Sequence, residues 1–296
     1  MNPALSQVPG PYRKIVREAC EQVLGQYDDI RALVLIGSVA EGDFGPKSDV
    51  DLLCIKGERV GWEEQRSVTE GLDDRVQLIV FSEEMFRSHI EKRTTMAHSV
   101  LRGMILYEVG DYVSGLNRNL DLPDREWMKN WFVHWLRLYE YSMGDVARAE
   151  EWHGKYCDEE KCVCHIDDTI ARVAVNLAIL FLETRGIVPT TKVQVQRHFE
   201  EQVEDEVLRV GLCQALSVSR EKRWIDYSEA QPVVHVAAWL RDQLMGTLRP
   251  SPEDLRDVEA TRRVIQEVRK EIEERRKRGL NNLHRPKPYR WKKKYL

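Results

Sequence analysis

The sequence lacks any run of apolar residues approaching the roughly 18 that a membrane-spanning helix needs. Its first residues also lack the basic-then-apolar order of a secretion signal. Internal repeats and low-complexity tracts are absent, and a net charge of −4 gives no overall attraction to nucleic acid. With 42% apolar and 32% charged residues, the composition is that of an ordinary folded chain. We therefore expect a cytoplasmic protein that does not enter a membrane.

The 296 residues are enough for about two domains. The first hundred residues alternate helix and strand signals, whereas only helical patterns follow Gly110. Short apolar runs predict strands at 32–36, 50–55, 75–81 and 104–109, and later helical signals include 167–184, 193–216, 233–244 and 252–278. We predict an α+β fold with an N-terminal domain over residues 1–112, an all-helical bundle over 113–280 and a basic aromatic tail over 281–296.

The segment from Leu35 to Leu53 contains the residues that best indicate a function. An apolar strand runs into Gly37 and Ser38, where a glycine allows close approach of a phosphate and backbone N–H groups favour an anion. Ten residues separate Ser38 from Asp49, and Asp49 and Asp51 are spaced two apart, so both carboxylates face one side of a strand. Two such carboxylates predict a site for one or two Mg²⁺ ions and bound phosphates.

Gly37-Ser38 followed by Asp49-Val50-Asp51 resembles the signature of the DNA polymerase β-like nucleotidyltransferase superfamily, in its minimal nucleotidyltransferase and antibiotic adenylyltransferase branch. The resemblance covers about residues 30–110 and implies a mixed sheet flanked by helices. It also implies nucleoside triphosphate at Gly37 and Ser38, Mg²⁺ on the catalytic residues Asp49 and Asp51, and transfer of a nucleoside monophosphate. Lys47 and Ser48 complete the predicted nucleotide-binding residues.

The same superfamily usually carries a third carboxylate on a later strand, and the matching position is Gln77. An amide accepts hydrogen bonds but cannot act as a base near neutral pH. Three explanations stay open: the base comes from Asp73, Asp74, Glu83 or an acid of the helical half, the acceptor needs no protein base, or transfer is slow or absent.

The helical half resembles the HEPN bundles that accompany minimal nucleotidyltransferases, at the segment 180–189. Nuclease members of that family use an Arg followed after four to six residues by a His. Arg93 and His98, in the N-terminal domain, and Arg278 and His284, at the edge of the basic tail, have this spacing. Neither of these two pairs lies in a helical context that supports a ribonuclease, so we do not predict one. Trp127, Trp131 and Trp135 form a helical stripe, which indicates packing of the bundle or the domain seam, or alternatively an aromatic wall that stacks on a ligand.

Three cysteines and two histidines are concentrated in thirteen residues between two predicted helices: His153, Cys157, Cys162, Cys164 and His165. Thiolate and imidazole suit tetrahedral Zn²⁺, and four of these five residues could form a structural zinc site. The alternative is a set of reduced cysteines on an interhelical loop.

The last thirteen residues, from His284 to Leu296, interleave six Lys or Arg with aromatic residues and contain no acid. This composition suits contact with RNA, although a solvated or subunit-packing tail is the alternative. Our first hypothesis is Mg²⁺-dependent transfer of AMP from ATP to a hydroxyl of a small molecule, a protein or RNA. The second is a nucleotide-binding regulatory or antitoxin-like module with little catalysis, and the third is a nucleic-acid-binding protein. The oligomeric state stays open, with a homodimer as one option.

Overall fold

The computed structural model describes residues 3–46, 48–157 and 164–277. Three predicted features lie outside the described residues: Lys47 of the nucleotide-binding loop, Cys162 of the Cys/His group, and the basic tail.

The N-terminal part is built on a four-stranded mixed sheet. Its strands are β1 (Ile30–Ile36), β2 (Val50–Lys56), β3 (Val76–Ser82) and β4 (Met104–Glu108). They lie in the order β3-β2-β1-β4, and β1 is antiparallel to both of its neighbours whereas β2 and β3 are parallel. The central strands β1 and β2 are almost entirely buried, which explains their nearly continuous runs of branched apolar residues.

Six helices of the described residues accompany this sheet: α1 (Pro3–Gln7), α2 (Gly10–Gln26), α3 (Gly37–Glu41), α4 (Trp62–Thr69), α5 (Glu83–Glu91) and α6 (Thr95–Arg102). Alternation along the strands gives the sheet two apolar faces. Leu33, Leu35 and Leu52 pack on one side with residues of α2, and Val34, Leu53 and Ile55 pack on the other with residues of α5 and α6.

The second part of the described chain is helical: α7 (Arg125–Tyr156), α8 (Thr169–Glu183), α9 (Lys192–Gln202), α10 (Glu206–Glu221), α11 (Tyr227–Leu248) and α12 (Arg256–Lys277). Helix α8 is buried over most of its circumference and forms the centre of the bundle, as its apolar sequence predicts. Within the described residues, no helix combines the length and the apolarity needed to cross a membrane.

The predicted α+β class is confirmed, with a mixed sheet and helices followed by an all-helical region. Two details differ. The helical signal at 193–216 is divided into α9 and α10, because Val203 is extended and Asp205 caps the second helix by accepting from Val207 and Leu208 N–H groups. Helix α6 was not predicted, although Thr94 caps it by accepting a hydrogen bond from Ala97 N–H. The exact division into three segments stays a prediction.

Candidate active site

The turn between β1 and α3 brings backbone close to a carboxylate. Gly37 has a φ of +71°, a conformation that a side chain makes costly. A Cβ atom at this position would lie 2.7 Å from Oδ2 of Asp51. Ser38 follows in the first turn of α3, where backbone N–H groups lack partners within the helix. Glycine is therefore required at this turn both for its conformation and for the space it leaves.

Asp51 lies between two strands at the end of the sheet where the turn is found. Its register partners are Ile36, the last residue of β1, and Gln77 of β3. Asp49 directly precedes β2, so only Asp51 lies within the strand, whereas the spacing of the two aspartates in the sequence suggested that both do. Burial, and then the charge of Asp49, raise the pKa of Asp51 to about 6. A buried carboxylate beside a second carboxylate forms a site whose negative charge a bound cation would compensate.

The helical half contributes two lysines to the same place. Lys222, which ends α10 in a left-handed conformation (φ +51°), places Nζ 3.2 Å from Oδ2 of Asp49. Lys192 begins α9 and is half-buried. Burial, and then the charge of Arg220, lower the pKa of Lys192, while Asp49 and Asp51 act in the opposite direction. Positive charge from the second half of the chain thus faces the two aspartates.

Polar contacts fix the start of α9 against the loop that follows α3. Thr190 Oγ1 and Gln194 Nε2 donate to the carboxylate of Glu41, the latter over 2.7 Å. Thr191 Oγ1 donates to Oδ2 of Asp43 over 2.8 Å and also caps α9. These charge-assisted bonds hold the segment next to Lys192 on the β1–α3 region, so the position of the lysine depends on the packing of both halves.

The donor set fits Mg²⁺ bound together with a polyphosphate. Asp49 and Asp51 supply hard carboxylate oxygens, which Mg²⁺ prefers. Lys192 and Lys222 carry positive charge beside these carboxylates, which phosphate oxygens bound there would require. The predicted Ser48 is engaged locally, because its Oγ accepts from Gly45 N–H over 2.9 Å within the loop.

Residues 18–111 match the family described as "Polymerase beta, Nucleotidyltransferase". This range contains the turn at Gly37 and both aspartates. Residues 18–111 belong to the polymerase β nucleotidyltransferase family. Membership implies a nucleotide substrate, in agreement with the resemblance found in the sequence. Among curated proteins, no sequence match is found.

Two solved structures resemble the chain as a whole. A nucleotidyltransferase-like protein from Exiguobacterium sibiricum 255-15 is 16% identical, with a TM-score of 0.36 over 79% of this chain and 76% of that chain. The spectinomycin adenyltransferase AAD(9) from Enterococcus faecialis is 14% identical, with a TM-score of 0.43 over 77% of this chain and 98% of that chain. Because both TM-scores are low, neither likeness is evidence for what this chain binds.

The nucleotidyltransferase domain has Gln77 beside Asp51, where the family resemblance places a third carboxylate. Two of the acids considered for this role, Asp73 and Glu83, have other partners. Asp73 accepts from the backbone and guanidinium of Arg75, which lowers the pKa of Asp73. Glu83 follows the opposite end of β3, where it pairs with Arg31 and Arg87. The charges of the helical half that act on the pKa of Asp51 are those of Lys192 and Lys222, not acids.

The remaining predicted residues lie outside the nucleotidyltransferase domain. Trp127 and Trp135 pack against the helical core, whereas Trp131 is 37% exposed and stacks on His134 with ring centroids 5.0 Å apart. His153, Cys157 and Cys164 converge, with one ligand atom of each within 4.8 Å of the others. His165 is exposed and lies outside this group, and its role as a candidate ligand stays a prediction.

Lys192 and Lys222 were missed by sequence reasoning. Each lies at the end of a helix in an ordinary helical context, and no local pattern distinguishes it from the other lysines of the chain. Only the packing of α9 and α10 against the nucleotidyltransferase domain identifies them.

Proposed function

We propose that the protein transfers a nucleoside monophosphate, AMP from ATP, to a hydroxyl group of an acceptor in a Mg²⁺-dependent reaction. The observation that carries this proposal is the approach of the Gly37 turn to Asp51, within the part of the chain that matches the nucleotidyltransferase family. Membership supports transferase chemistry in general, and the choice of AMP, ATP and Mg²⁺ is the finer part of the proposal.

Two of the residues would bind the metal, and the others would bind the phosphates. Asp49 and Asp51 would hold Mg²⁺, which neutralises phosphate charge when bound. Gly37 and Ser38 present backbone N–H groups to phosphate oxygens at the start of α3. Lys192 and Lys222 face the aspartates, and they would contact the phosphates that leave.

The bond changes balance without a redox partner. An acceptor oxygen attacks the α-phosphorus, the bond from that phosphorus to the bridging oxygen breaks, and pyrophosphate leaves with the electron pair. The proton of the acceptor hydroxyl passes to solvent or to a base. Positioning and charge stabilisation dominate phosphoryl transfer, so the reaction proceeds even with a weak base.

The ion pair between Lys222 and Asp49 places a cation of the helical half beside a candidate metal ligand. Because Nζ of Lys222 lies 3.2 Å from Asp49, the lysine compensates one of two neighbouring carboxylates. Asp49 would hold the metal together with Asp51, and Lys222 would then be available to bind a phosphate oxygen. The two residues would thus contribute to the same triphosphate site from opposite halves of the chain.

The second candidate function is a regulatory module that binds nucleotide with little turnover. Gln77 favours it, since an amide next to Asp51 supplies no base and one metal ligand fewer. General-base assistance is typically worth ~10²–10⁴ in rate, so its loss slows transfer without preventing binding. The acceptor in the first function remains one of three classes: a small hydroxylated molecule, a protein side chain or an RNA end.

Incubation of the full-length protein with α-labelled ATP, Mg²⁺ and acceptors of the three classes tests the proposal. Label transfer that requires Mg²⁺ and disappears in the Asp49→Asn/Asp51→Asn double variant is expected. Glu21→Gln, an exposed carboxylate on α2, is the matched control and should transfer normally. ATP binding without transfer to any acceptor class would favour the regulatory module, and absence of Mg²⁺-dependent ATP binding would contradict both.

A further inference from the structure

A group of metal-type ligands lies in the helical half, outside the nucleotide site. His153 belongs to the last turn of α7, Cys157 caps that helix, and Cys164 is buried in the segment before α8. Their ligand atoms all lie within 4.8 Å of one another, and Nδ1 of His153 is 3.3 Å from Sγ of Cys164. Three potential ligands from two separate segments thus converge on one point.

We propose that His153, Cys157 and Cys164 bind a structural Zn²⁺ ion. Thiolate and imidazole ligands select zinc over hard cations such as Mg²⁺ and Ca²⁺. With Zn–S of about 2.3 Å and Zn–N of about 2.0–2.1 Å, tetrahedral ligand atoms are separated by roughly 3.5–4 Å. The contact of 3.3 Å between His153 and Cys164 lies slightly below this range, and the other separations are at most 4.8 Å, so small shifts reach this geometry. The three groups fill three of four positions, and a water molecule or another protein group takes the fourth.

Neighbouring groups orient two of these ligands in the way that a metal requires. Nε2 of His153 lies 3.4 Å from Oγ of Ser228, so a proton on Nε2 leaves the lone pair of Nδ1 directed at Cys164. The N–H group of Tyr227 donates to Sγ of Cys164 over 3.4 Å. Tyr227 is the first residue of α11, and an N–H group at a helix start favours a thiolate over a thiol.

Two other buried cysteines lie in apolar surroundings instead. Cys20 and Cys54 lie in the apolar core of the sheet domain, and burial raises the pKa of each thiol to about 12. Such thiols are inert packing groups. Cys157 and Cys164, with an imidazole and a helix start beside them, have the surroundings of ligands.

The position of the proposed zinc explains what it would stabilise. Ile166, two residues after Cys164, pairs with Ile225 through N–H···O contacts of 2.8 and 3.0 Å. The short connection between α10 and α11 therefore has Lys222 at one end and the contact to Cys164 at the other. Zinc would fix the connection that presents Lys222 to Asp49, and this consequence rests on the proposed function.

Metal analysis of the full-length protein, purified with reductant and without chelator, tests the site. We expect about one zinc ion per chain. Cys157→Ser and Cys164→Ser should each lose most of this zinc, whereas Cys213→Ser, a partly buried cysteine of α10, should keep it. Because these variants could fail to fold, Co²⁺ is also exchanged into the unaltered protein. Thiolate-to-cobalt charge-transfer absorption and tetrahedral d–d bands are expected there.

Two results would overturn the proposal: unaltered reduced protein that takes up neither Zn²⁺ nor Co²⁺, or a Cys157–Cys164 disulfide in protein kept from oxidants. A chelator should lower the Tm of the unaltered protein and of Cys213→Ser, and a Tm that does not respond would contradict a structural role. These measurements need no nucleotide. Failure of transferase activity with zinc bound would count against the proposed function alone, and an unchanged KM for ATP after zinc removal would contradict the link to Lys222.

Discussion

Oδ2 of Asp51 lies 2.7 Å from the point that a Cβ atom on Gly37 would occupy. This short distance joins the turn after β1 to the beginning of β2. The two segments contain the residues of the family signature. Since Gly37 also has a φ of +71°, the turn and the carboxylate are fitted to each other by conformation and by space. Four predictions follow from this site and from its support by the helical half.

Gly37→Ala should weaken the binding of the metal-nucleotide complex. An alanine here meets the carboxylate of Asp51 and occupies a left-handed conformation that costs roughly 1–2 kcal/mol. Gly186→Ala is the matched control, since Gly186 has a φ of +86° and no atom within 4 Å of an added Cβ. Both variants should lose similar stability in urea unfolding, but only Gly37→Ala should lose Mg-ATP affinity by more than about tenfold in calorimetry. Equal Mg-ATP affinities of the two variants would contradict the proposal that the close approach of Gly37 to Asp51 matters for nucleotide binding.

Lys222→Ala should weaken ATP binding from the helical half. A hydrogen bond to a charged group is worth ~1.5–3 kcal/mol, which corresponds to a loss of roughly 10- to 100-fold in affinity. Lys192→Ala should have a comparable effect, because its charge acts on the same aspartates. Lys14→Ala, an exposed lysine on α2, is the control. ATP titrations at two salt concentrations measure the effect. An unchanged ATP affinity in both lysine variants would mean that these lysines of the helical half do not contribute to nucleotide binding.

The contrast between these residues shows what the sequence could predict. Gly37, Asp49 and Asp51 lie within one short segment, where a strand, a turn and a second strand fix their relation locally. Lys222 contacts Asp49 across 173 residues of chain. Its position depends on where α10 ends and how the bundle packs on the sheet domain, and a local pattern contains neither. The fold class follows from periodicity, whereas the break at Val203 and the partners of the sheet strands depend on tertiary contacts.

Glu183→Gln should change the pH dependence of stability. Glu183 is 1% exposed at the end of α8, with Oε1 accepting from Thr95 Oγ1 over 2.6 Å, and burial raises its pKa from 4.5 to about 7. The folded state therefore binds this proton more tightly than the unfolded state, so stability falls as pH rises between the two values. The shift corresponds to about 3 kcal/mol at pH values above about 7. Glutamine carries no ionisable proton, so the variant should lose the part of the decline that Glu183 causes, whereas the part caused by the raised pKa of Asp51 should remain.

Urea unfolding from about pH 5 to about pH 8 measures the slope for Glu183→Gln. Glu21→Gln, whose carboxylate is exposed on α2, should retain the slope of the unaltered protein. If the slope in Glu183→Gln equals that of the unaltered protein, Glu183 does not contribute to it.

Gln77→Glu should increase transfer if the missing carboxylate limits the rate. Gln77 is the register partner of Asp51 on β3, and glutamate is nearly isosteric with it, so the new carboxylate joins Asp49 and Asp51 without rebuilding the strand. With Mg²⁺ present it adds a metal ligand and a base, and a gain of up to ~10²–10⁴ in transfer rate is expected. Without Mg²⁺ it adds like charge, which should raise the pKa of Asp51 further and lower stability.

Gln77→Ala is the control that separates these effects. It removes the amide without adding charge, so slow transfer similar to that of the unaltered protein is expected if Gln77 has no chemical role. A rate increase in Gln77→Glu alone means that the site is a transferase whose base is weak. A Gln77→Glu variant that binds Mg-ATP more tightly but transfers no faster means that proton removal does not limit the reaction. Gln77 would then fit an acceptor that loses its proton to solvent, since the rest of the site would already be complete.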